Sequence, residues 1–284
     1  MWIYIARRLL WLPVLLFLVS LFVFTLGRLA PGDPVIVMLG NRANPVVAER
    51  LRRELGLDRP IYIQYADYMW GFIRGDFGES LRYRGQPVRD LIVPKMWVSA
   101  QLSLAALAIS VAGGLPLGFL IAHRQGRWED PTIVTVSLIL MSIPIMVTVP
   151  SLLWLFCLKL DWIPCSGWGG LVDPRIVVPA ITMGVPGIAL FVRLMRASTL
   201  DVMGQDFIRT AHAKGLSSIR IDSRHIFRNA VIPIVTILAF SLAGLIGGAI
   251  VIETIMGIPG IGRFAVQSVF DRDYPSIMAI ILIT

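Results

Sequence analysis

The sequence predicts an all-α polytopic membrane protein with about six transmembrane helices and a helical outer insertion between the first two. Hydrophobic residues make up 56% of the 284 residues and charged residues only 15%, with a mean hydropathy of +0.75, which is far from the balance of a soluble domain. Five long uncharged runs divide the chain. No internal repeat or low-complexity linker is evident, so one membrane domain over residues 1–284 is the simplest organisation.

The uncharged runs define the predicted spans. They contain 19, 27, 28, 17 and 24 residues, against the roughly 20 that a helix needs to cross a bilayer. In order, they are Leu9 to Gly27, Met96 to Ala122, Pro131 to Leu158, Ile176 to Val192 and Asn229 to Ile252. A sixth run, Tyr274 to Thr284, would span only about half a bilayer. We therefore expect the natural chain to continue beyond Thr284.

The first run resembles a secretory signal, because Arg7 and Arg8 precede an apolar stretch. The run is longer than the apolar region of a signal peptide, and Arg28 to Asp33 follows it in place of a small-residue cleavage site. These features favour a signal anchor over a cleaved peptide.

Lysine and arginine residues set the predicted orientation. Arg7 and Arg8 place the N-terminus in the cytoplasm, and alternation then places residues 123–130 and 193–228 there too. The second connection carries seven Lys/Arg against three Asp. Residues 30–95 hold ten Lys/Arg and eight Asp/Glu, but a long, nearly balanced segment translocates regardless of charge.

Residues 31–95 form the predicted extracytoplasmic insertion, and turn signals indicate that it is folded. Asn44 can cap a first helix that Gly56 ends, and a second helix fits between Pro60 and Gly75. Amphipathic helices of this kind form a lid on the membrane surface. A docking surface for an external protein is a compatible alternative.

The segment from Asp206 to Leu216 is charged and lies between two uncharged runs. Asp206 is a good N-cap and Gly215 a good residue after the helix end, which predicts a two-turn helix over Phe207 to Lys214. So short a helix needs tertiary contacts to persist. Ala211 and Gly215 lie four apart, which would bare the backbone on one side for close approach by another element.

Ser217 or Ser218 can cap a following helix that runs through Arg228. Basic residues here follow from cytoplasmic location alone, but a separate capped helix indicates a contact surface. Residues 198–228 are thus the predicted coupling region. Its candidate contact residues are Asp206, Arg209, Thr210, Ala211, Ala213, Lys214, Gly215 and Leu216.

Motifs for catalysis are missing from the sequence. It has no G-x-x-x-x-G-K-[ST] phosphate loop, and none of His123, His212 and His225 is followed by Glu as in H-E-x-x-H. We interpret these histidines as ordinary polar residues at cytoplasmic edges. Cys157 in an apolar run and Cys165 in an outer loop could pair outside the cell, but we expect them to be unpaired.

Glycines and prolines lie inside several predicted spans. Gly114 and Gly118 form a small-xxx-small pair, which favours close helix packing. Kinks at prolines such as Pro144 and Pro186 could open a cavity or permit rocking. Because both residue types are common in membrane helices, packing is the favoured role.

Several motifs together resemble the permease subunits of ATP-binding cassette importers, in particular the dipeptide, oligopeptide and nickel group. The central motif is Arg209 to Leu216, followed by Arg224 to Pro233. The others are Leu29 to Pro34, Leu55 to Pro60, Arg74 to Gly78 and Glu253 to Gly262. Each motif is weak alone, but their order and topology are specific, and the resemblance covers nearly the whole chain.

The chain departs from the general importer pattern Glu-Ala-Ala-x3-Gly-x9-Ile-x-Leu-Pro. When the two are aligned on Gly215, Arg209 stands in place of the Glu and Thr210 in place of the first Ala. Only Ala211 and Gly215 match the pattern. The terminal Ile-x-Leu-Pro is missing, because residues 225–228 are His-Ile-Phe-Arg. Which ATPase residues the segment meets is left open.

The resemblance implies a multi-pass subunit of the bacterial or archaeal cytoplasmic membrane that forms half of a translocation path. It further implies a second homologous permease, two ATP-binding cassette ATPase subunits that bind ATP and Mg, and an extracytoplasmic substrate-binding protein. No cofactor is expected in this chain. Membrane lipid is expected to contact its spans. The pI near 10.1 does not indicate nucleic acid, because the basic residues lie on both sides of the membrane.

Peptides are the substrates that the resemblance favours. Nickel chelates, glutathione and oligosaccharides are carried by permeases of similar sequence. A passive channel-like protein is the alternative class, but it would not require the short helix at residues 207–214. An intramembrane enzyme is disfavoured because no predicted span contains a charged pair or a catalytic motif.

Overall fold

The computed structural model describes residues 2–29, 35, 39, 44–54 and 56–284. Residues 30–34 of the first motif and Leu55 of the second therefore lie outside the described residues. Within the described part the chain is helical, and its only extended pairing is an isolated bridge between Glu79 and Pro87. The predicted all-α class is confirmed.

The α-helices of the described residues are numbered in chain order. They are α1 (Trp2–Leu29), α2 (Pro45–Glu54), α3 (Ile61–Ile73), α4 (Val88–Ala122), α5 (Glu129–Ser142), α6 (Ile145–Leu153), α7 (Val177–Met203), α8 (Asp206–Ala213), α9 (Ser218–Ile221), α10 (Arg228–Ala230), α11 (Ile232–Ala243), α12 (Ile250–Ile255), α13 (Ile261–Phe270) and α14 (Tyr274–Ile283). Trp154–Lys159 and Asp222–Phe227 form π-helical turns, and Pro174–Ile176 and Gly244–Gly247 form 3₁₀ turns.

Within the described residues, four helical stretches are long and apolar enough to cross a membrane. They are Leu10–Gly27, Val88–Ala122, Pro174–Met203 and Ile232–Ile255, and a bent pair formed by α5 and α6 gives a fifth if it counts as one span. Helix α14 is apolar, but its ten residues are too few to cross a membrane as a helix. A multi-pass architecture is thus confirmed, whereas the count of six stays a prediction.

The third predicted span is bent at one of its prolines. Its two halves, Glu129–Ser142 and Ile145–Lys159, are bent by 90° relative to each other. Ile143 leaves the helical path with φ −76° and ψ 120°, as a residue before proline tends to do, and Pro144 has no N–H to continue the ladder. The proline at 144 therefore breaks the span.

The fifth predicted span is interrupted at a cluster of glycines. After the 3₁₀ turn Gly244–Gly247, Gly248 adopts φ 74°, a conformation that favours glycine. Helix α12 then carries Glu253, which is fully buried and accepts hydrogen bonds from Ser99 Oγ at 2.6 Å and Ala249 N at 3.1 Å. A Cβ at Gly260 would overlap the Glu253 carboxyl group, which explains the glycine in this motif.

The chain divides into two compact units, residues 1–96 with 261–284 and residues 97–260. In the first unit, α3 packs on α1 through Tyr65, whose ring meets Phe24 edge-on at 5.4 Å and whose hydroxyl lies 2.7 Å from Ser20 Oγ. The predicted helix ends agree with the structure: Val46 N donates to Asn44 Oδ1, and Gly56 and Gly75 have positive φ.

A buried carboxylate fixes the end of the insertion within the first unit. Asp273 accepts hydrogen bonds from Ser80 Oγ at 2.5 Å, Leu81 N at 2.9 Å and Ser276 Oγ at 2.7 Å. Three donors satisfy a charge that would be costly to bury alone. The segment that leads into α4 is therefore tied to the connection between α13 and α14.

In the second unit, α4 and α7 approach closely at glycines. A Cβ on Gly118 would lie 2.6 Å from the Val192 carbonyl oxygen, and one on Gly114 would overlap Phe191 Cβ. The predicted packing role of this small-xxx-small pair is confirmed. One apolar core lies around Phe191, Met195 and Ile234 on this unit, and a second around Leu102 and Ile258.

The expectation that the two cysteines are unpaired is wrong. Cys157 and Cys165 form a disulfide, with their Cα atoms 5.3 Å apart. The helix ends after Lys159, and the chain reverses at Asp161, which has φ 51°, so Cys165 returns to Cys157. The sequence did not reveal this reversal, because it lies at the end of an apolar run.

Candidate functional site

The candidate site is the short helix α8, Asp206–Ala213, which lies between α7 and α9. It begins one residue earlier than predicted. Gln205 occupies the N-cap position without a side-chain hydrogen bond, so the prediction that Asp206 caps the helix is wrong. Asp206 is instead the first helical residue, where a carboxylate complements the helix dipole, and its Oδ1 lies 3.3 Å from Arg209 Nη1.

The end of α8 agrees with the prediction. Gly215 has φ 72° and its N–H donates to His212 O at 2.9 Å, while Leu216 N donates to Ala211 O at 3.3 Å. These two bonds form a Schellman motif, in which glycine takes the left-handed position without steric cost. Lys214 forms the helix cap.

One face of α8 is anchored in the core of the chain itself. Ile208 and Ala211 are 4% and 5% exposed, and both belong to a cluster with Val202 and Ile221, against which Leu216 also packs. The small side chain at 211 therefore serves internal packing. The expectation that Ala211 bares backbone for an outside partner is wrong, because the chain covers that face.

The opposite face of α8 is open. The side chains of Asp206 and Arg209 are 94% and 78% exposed, and a Cβ on Gly215 would meet nothing within 4 Å. The remaining exposed candidates are Thr210, Ala213 and Lys214, together with His212. A polar, mixed-charge surface is thus held on a fixed apolar base.

The helix after α8 is less regular than predicted. Ser217 occupies the N-cap position of α9, but its hydroxyl makes no capping hydrogen bond. The wide π-helical turn Asp222–Phe227 then interrupts the predicted run to Arg228. Turns of this type are frequent at functional sites.

Polar contacts missed by sequence reasoning join α5 to α7, and the turn Asp222–Phe227 to the residue that follows α4. Asp130 binds Arg196 through two parallel bonds, Nε–Oδ1 at 2.5 Å and Nη2–Oδ2 at 2.6 Å. His123 Nε2 lies 3.1 Å from Asp222 Oδ1. Opposite charges at both predicted cytoplasmic edges were the only available signal, and they do not reveal which residues pair.

Known proteins of similar sequence are transport components. A family model described as "Binding-protein-dependent transport system inner membrane component" matches residues 114–284, and the N-terminal model of the same kind of component matches residues 1–85. The chain belongs to this family. The resemblance drawn from the motifs is thereby confirmed.

Relatives in this family match nearly the whole chain. A probable peptide ABC transporter permease protein of Sinorhizobium fredii is 36% identical, over 100% of this chain and 92% of its own length. A glutathione transport system permease protein of Escherichia coli K12 is 36% identical, over 99% of this chain and 90% of its own. A putative peptide transport system permease protein of Brucella abortus is 35% identical over 95% and 88%.

A solved structure shares the fold. A chain of the MetNI methionine ABC transporter in an inward-facing conformation has a TM-score of 0.52 and 17% identity, over 68% of this chain and 89% of its own. Family membership makes this chain a multi-pass inner membrane transport component rather than an enzyme. It also implies partnership with an ATPase and with a substrate-binding component.

Proposed function

We propose that this permease forms half of the translocation path of an ATP-driven importer of di- and oligopeptides. The observation that carries the proposal is the 36% identity, over the full chain, to a probable peptide permease. A second permease supplies the other half, two ATPase subunits bind ATP and Mg, and an external protein delivers the substrate. Glutathione is the second candidate substrate, because a glutathione permease is equally similar.

The exposed face of α8 is the proposed contact with the ATPase. The opposite face of α8 is buried, because Ile208 and Ala211 lie in the core that contains α7. A force on the exposed face therefore passes directly to that core. The exposed face includes Arg209, Thr210, Lys214 and Gly215. The bidentate Asp130–Arg196 pair links that core to α5. A rigidly seated helix of this kind can transmit movement of a partner into the membrane helices.

Contacts within each unit support the proposed topology. His123 with Asp222 and Asp130 with Arg196 join segments that are both assigned to the cytoplasm. Ser80 with Asp273 joins two segments assigned to the outside. Gly167 N donates to Met256 O at 2.9 Å between two other outer segments. The surplus of basic residues in 193–228 supports the cytoplasmic assignment of that side.

Cysteine labelling tests this orientation. In intact cells we expect Arg52→Cys to react with a membrane-impermeant maleimide and Ser217→Cys to react only after permeabilisation. Both positions are exposed, and the native cysteines are paired, so the wild-type chain is the unreactive control. The reverse pattern would contradict the orientation.

Reconstitution tests the function. We expect the complete complex in proteoliposomes to import radiolabelled alanylalanine with ATP, and the purified permease alone to hydrolyse none, because its sequence has no phosphate loop. Import of maltotriose in place of alanylalanine would contradict the peptide assignment. Steady ATP turnover by the isolated chain, free of other ATPases, would contradict the division of labour.

A further inference from the structure

The residue that follows α4 has a hydrogen-bond acceptor at each nitrogen of its ring. His123 Nδ1 lies 3.0 Å from the carbonyl oxygen of Phe119, and Nε2 lies 3.1 Å from Asp222 Oδ1. A carbonyl and an ionised carboxylate have no proton to donate. A neutral imidazole carries one N–H and one lone pair, so one of its nitrogens would face an oxygen with no proton between them. Both contacts are hydrogen bonds only when the ring is an imidazolium.

The surroundings of the ring also favour a cation. His123 comes directly after the last residue of α4, a helix of 35 residues, and the C-terminal end of a helix dipole attracts positive charge. The ring centroids of His123 and Phe119 are 4.6 Å apart, a distance at which an aromatic ring attracts a cation. Arg124, the next residue, is already paired with Glu129 at 3.0 Å. Helix dipole, aromatic ring, carbonyl and carboxylate thus act in the same direction.

The carboxylate of Asp222 depends on this histidine. Several other ionisable residues lie on the same turn or next to it, namely Arg220, Arg224, His225 and Arg228. Within the part of the chain that the structure describes, none of them pairs with Asp222, whose ion pair is with His123. A neutral His123 would therefore leave the carboxylate without a cationic partner.

The pair lies between α4 and the segment that follows α8. Ile221, the residue before Asp222, is 1% exposed and shares an apolar core with Ile208 of α8. Phe119 of α4 packs against the same core, and its ring meets that of Phe227 edge-on at 5.5 Å. Apolar contacts are not directional, whereas a charge-assisted hydrogen bond is short and has a defined direction. The ion pair therefore fixes where the turn Asp222–Phe227 sits against α4.

We propose that His123 is held as an imidazolium that joins α4 to the segment after α8, and that loss of its proton weakens the coupling of ATP hydrolysis to transport. His123 is then a positioning residue, because it acts through the placement of α8. The inference rests on the proposed function and deepens it.

The direction of the pH effect follows from the proton. At low pH the ring donates to both oxygens, and as the pH rises one N–H is replaced by a lone pair that faces an oxygen. Histidine is the side chain that ordinarily changes charge near physiological pH. Coupling should therefore be tightest on the acidic side of that range and should weaken as the cytoplasm becomes alkaline.

The amount of alanylalanine imported per ATP hydrolysed measures this coupling. The complete complex is placed in proteoliposomes with ATP trapped inside, at an internal pH of about 6.5 or about 8.5 and a constant external pH near 7. The side chains of His123 and Asp222 are 29% and 36% exposed. We therefore expect the ratio to be about threefold lower at the higher pH, which is the scale of a partly exposed ion pair. His225→Gln, on the same turn, should show the same fall.

Two further variants separate charge from packing. His123→Gln has no ring to titrate, so its ratio should be low and equal at both pH values. Asp222→Asn should keep a high ratio at both, because an amide accepts from an imidazolium and donates to a neutral ring. A constant ratio in the wild type, a high ratio in His123→Gln, or a fall that persists in either variant would overturn the inference alone. A wild type that imports no alanylalanine at either pH would contradict the proposed function, and this inference with it.

Discussion

Gly215→Leu is expected to reach the membrane but to lose ATPase association and peptide import together. A leucine at φ 72° costs about 1 kcal/mol or more of backbone strain, and it opens the Schellman motif that ends α8. The new side chain would also project from the exposed face, where a Cβ now meets nothing. No membrane span is altered. Co-purification of the ATPase and import of alanylalanine measure the effect.

Two variants separate loss of docking from strain alone. Gly126 is also exposed, has φ 81° and has open space around its Cβ position, but it lies in the connection before α5. Gly126→Leu should therefore keep ATPase association. Gly215→Asn should keep most import, because asparagine tolerates the left-handed conformation. Normal import by Gly215→Leu with an intact ATPase complex would show that α8 is not the coupling element.

Ala211→Trp does not test docking, although the sequence alone would favour it. The side chain at 211 is buried against Val202 and Ile221, and an indole there would disrupt the core rather than the exposed face. The sequence located α8 because its charged composition and its terminal glycine, Gly215, are local signals. It did not show which face of α8 the chain covers, because that face joins a core that includes residues distant in sequence, such as Ile234.

The sequence also did not show which proline would break its span. Pro13, Pro150 and Pro186 lie inside helices that continue, whereas Pro144 separates two helices at 90°. The local chemistry of each proline is the same: a missing N–H and a restricted preceding residue. Packing of α5 and α6 on α7 decides which proline breaks its span, and a single sequence does not contain that information in readable form.

Long-range charge pairs were hidden for a related reason. Asp130 and Arg196 are 66 residues apart, and each was visible only as a charge at the edge of an apolar run. Uncharged runs and turn glycines were predictable because each depends only on residues that are close together in the sequence. The bidentate pair forms only when two distant parts of the chain meet.

Gly118→Ala is expected to destabilise the permease strongly, and Gly113→Ala much less. At Gly118 the added Cβ would lie 2.6 Å from the backbone oxygen of Val192, so α4 and α7 must move apart. At Gly113 it would meet Ile188 Cδ1 at 2.9 Å, and the end of a flexible side chain can turn away. Overpacking of the first kind costs about 1–3 kcal/mol.

Heating of the two detergent-purified variants, followed by size-exclusion chromatography, measures the difference. Both glycines lie on α4, in the same apolar surroundings, so helix propensity changes equally and favourably in both. The midpoint for Gly118→Ala should fall by several degrees relative to Gly113→Ala. Equal midpoints would mean that α4 and α7 are not in backbone contact at Gly118.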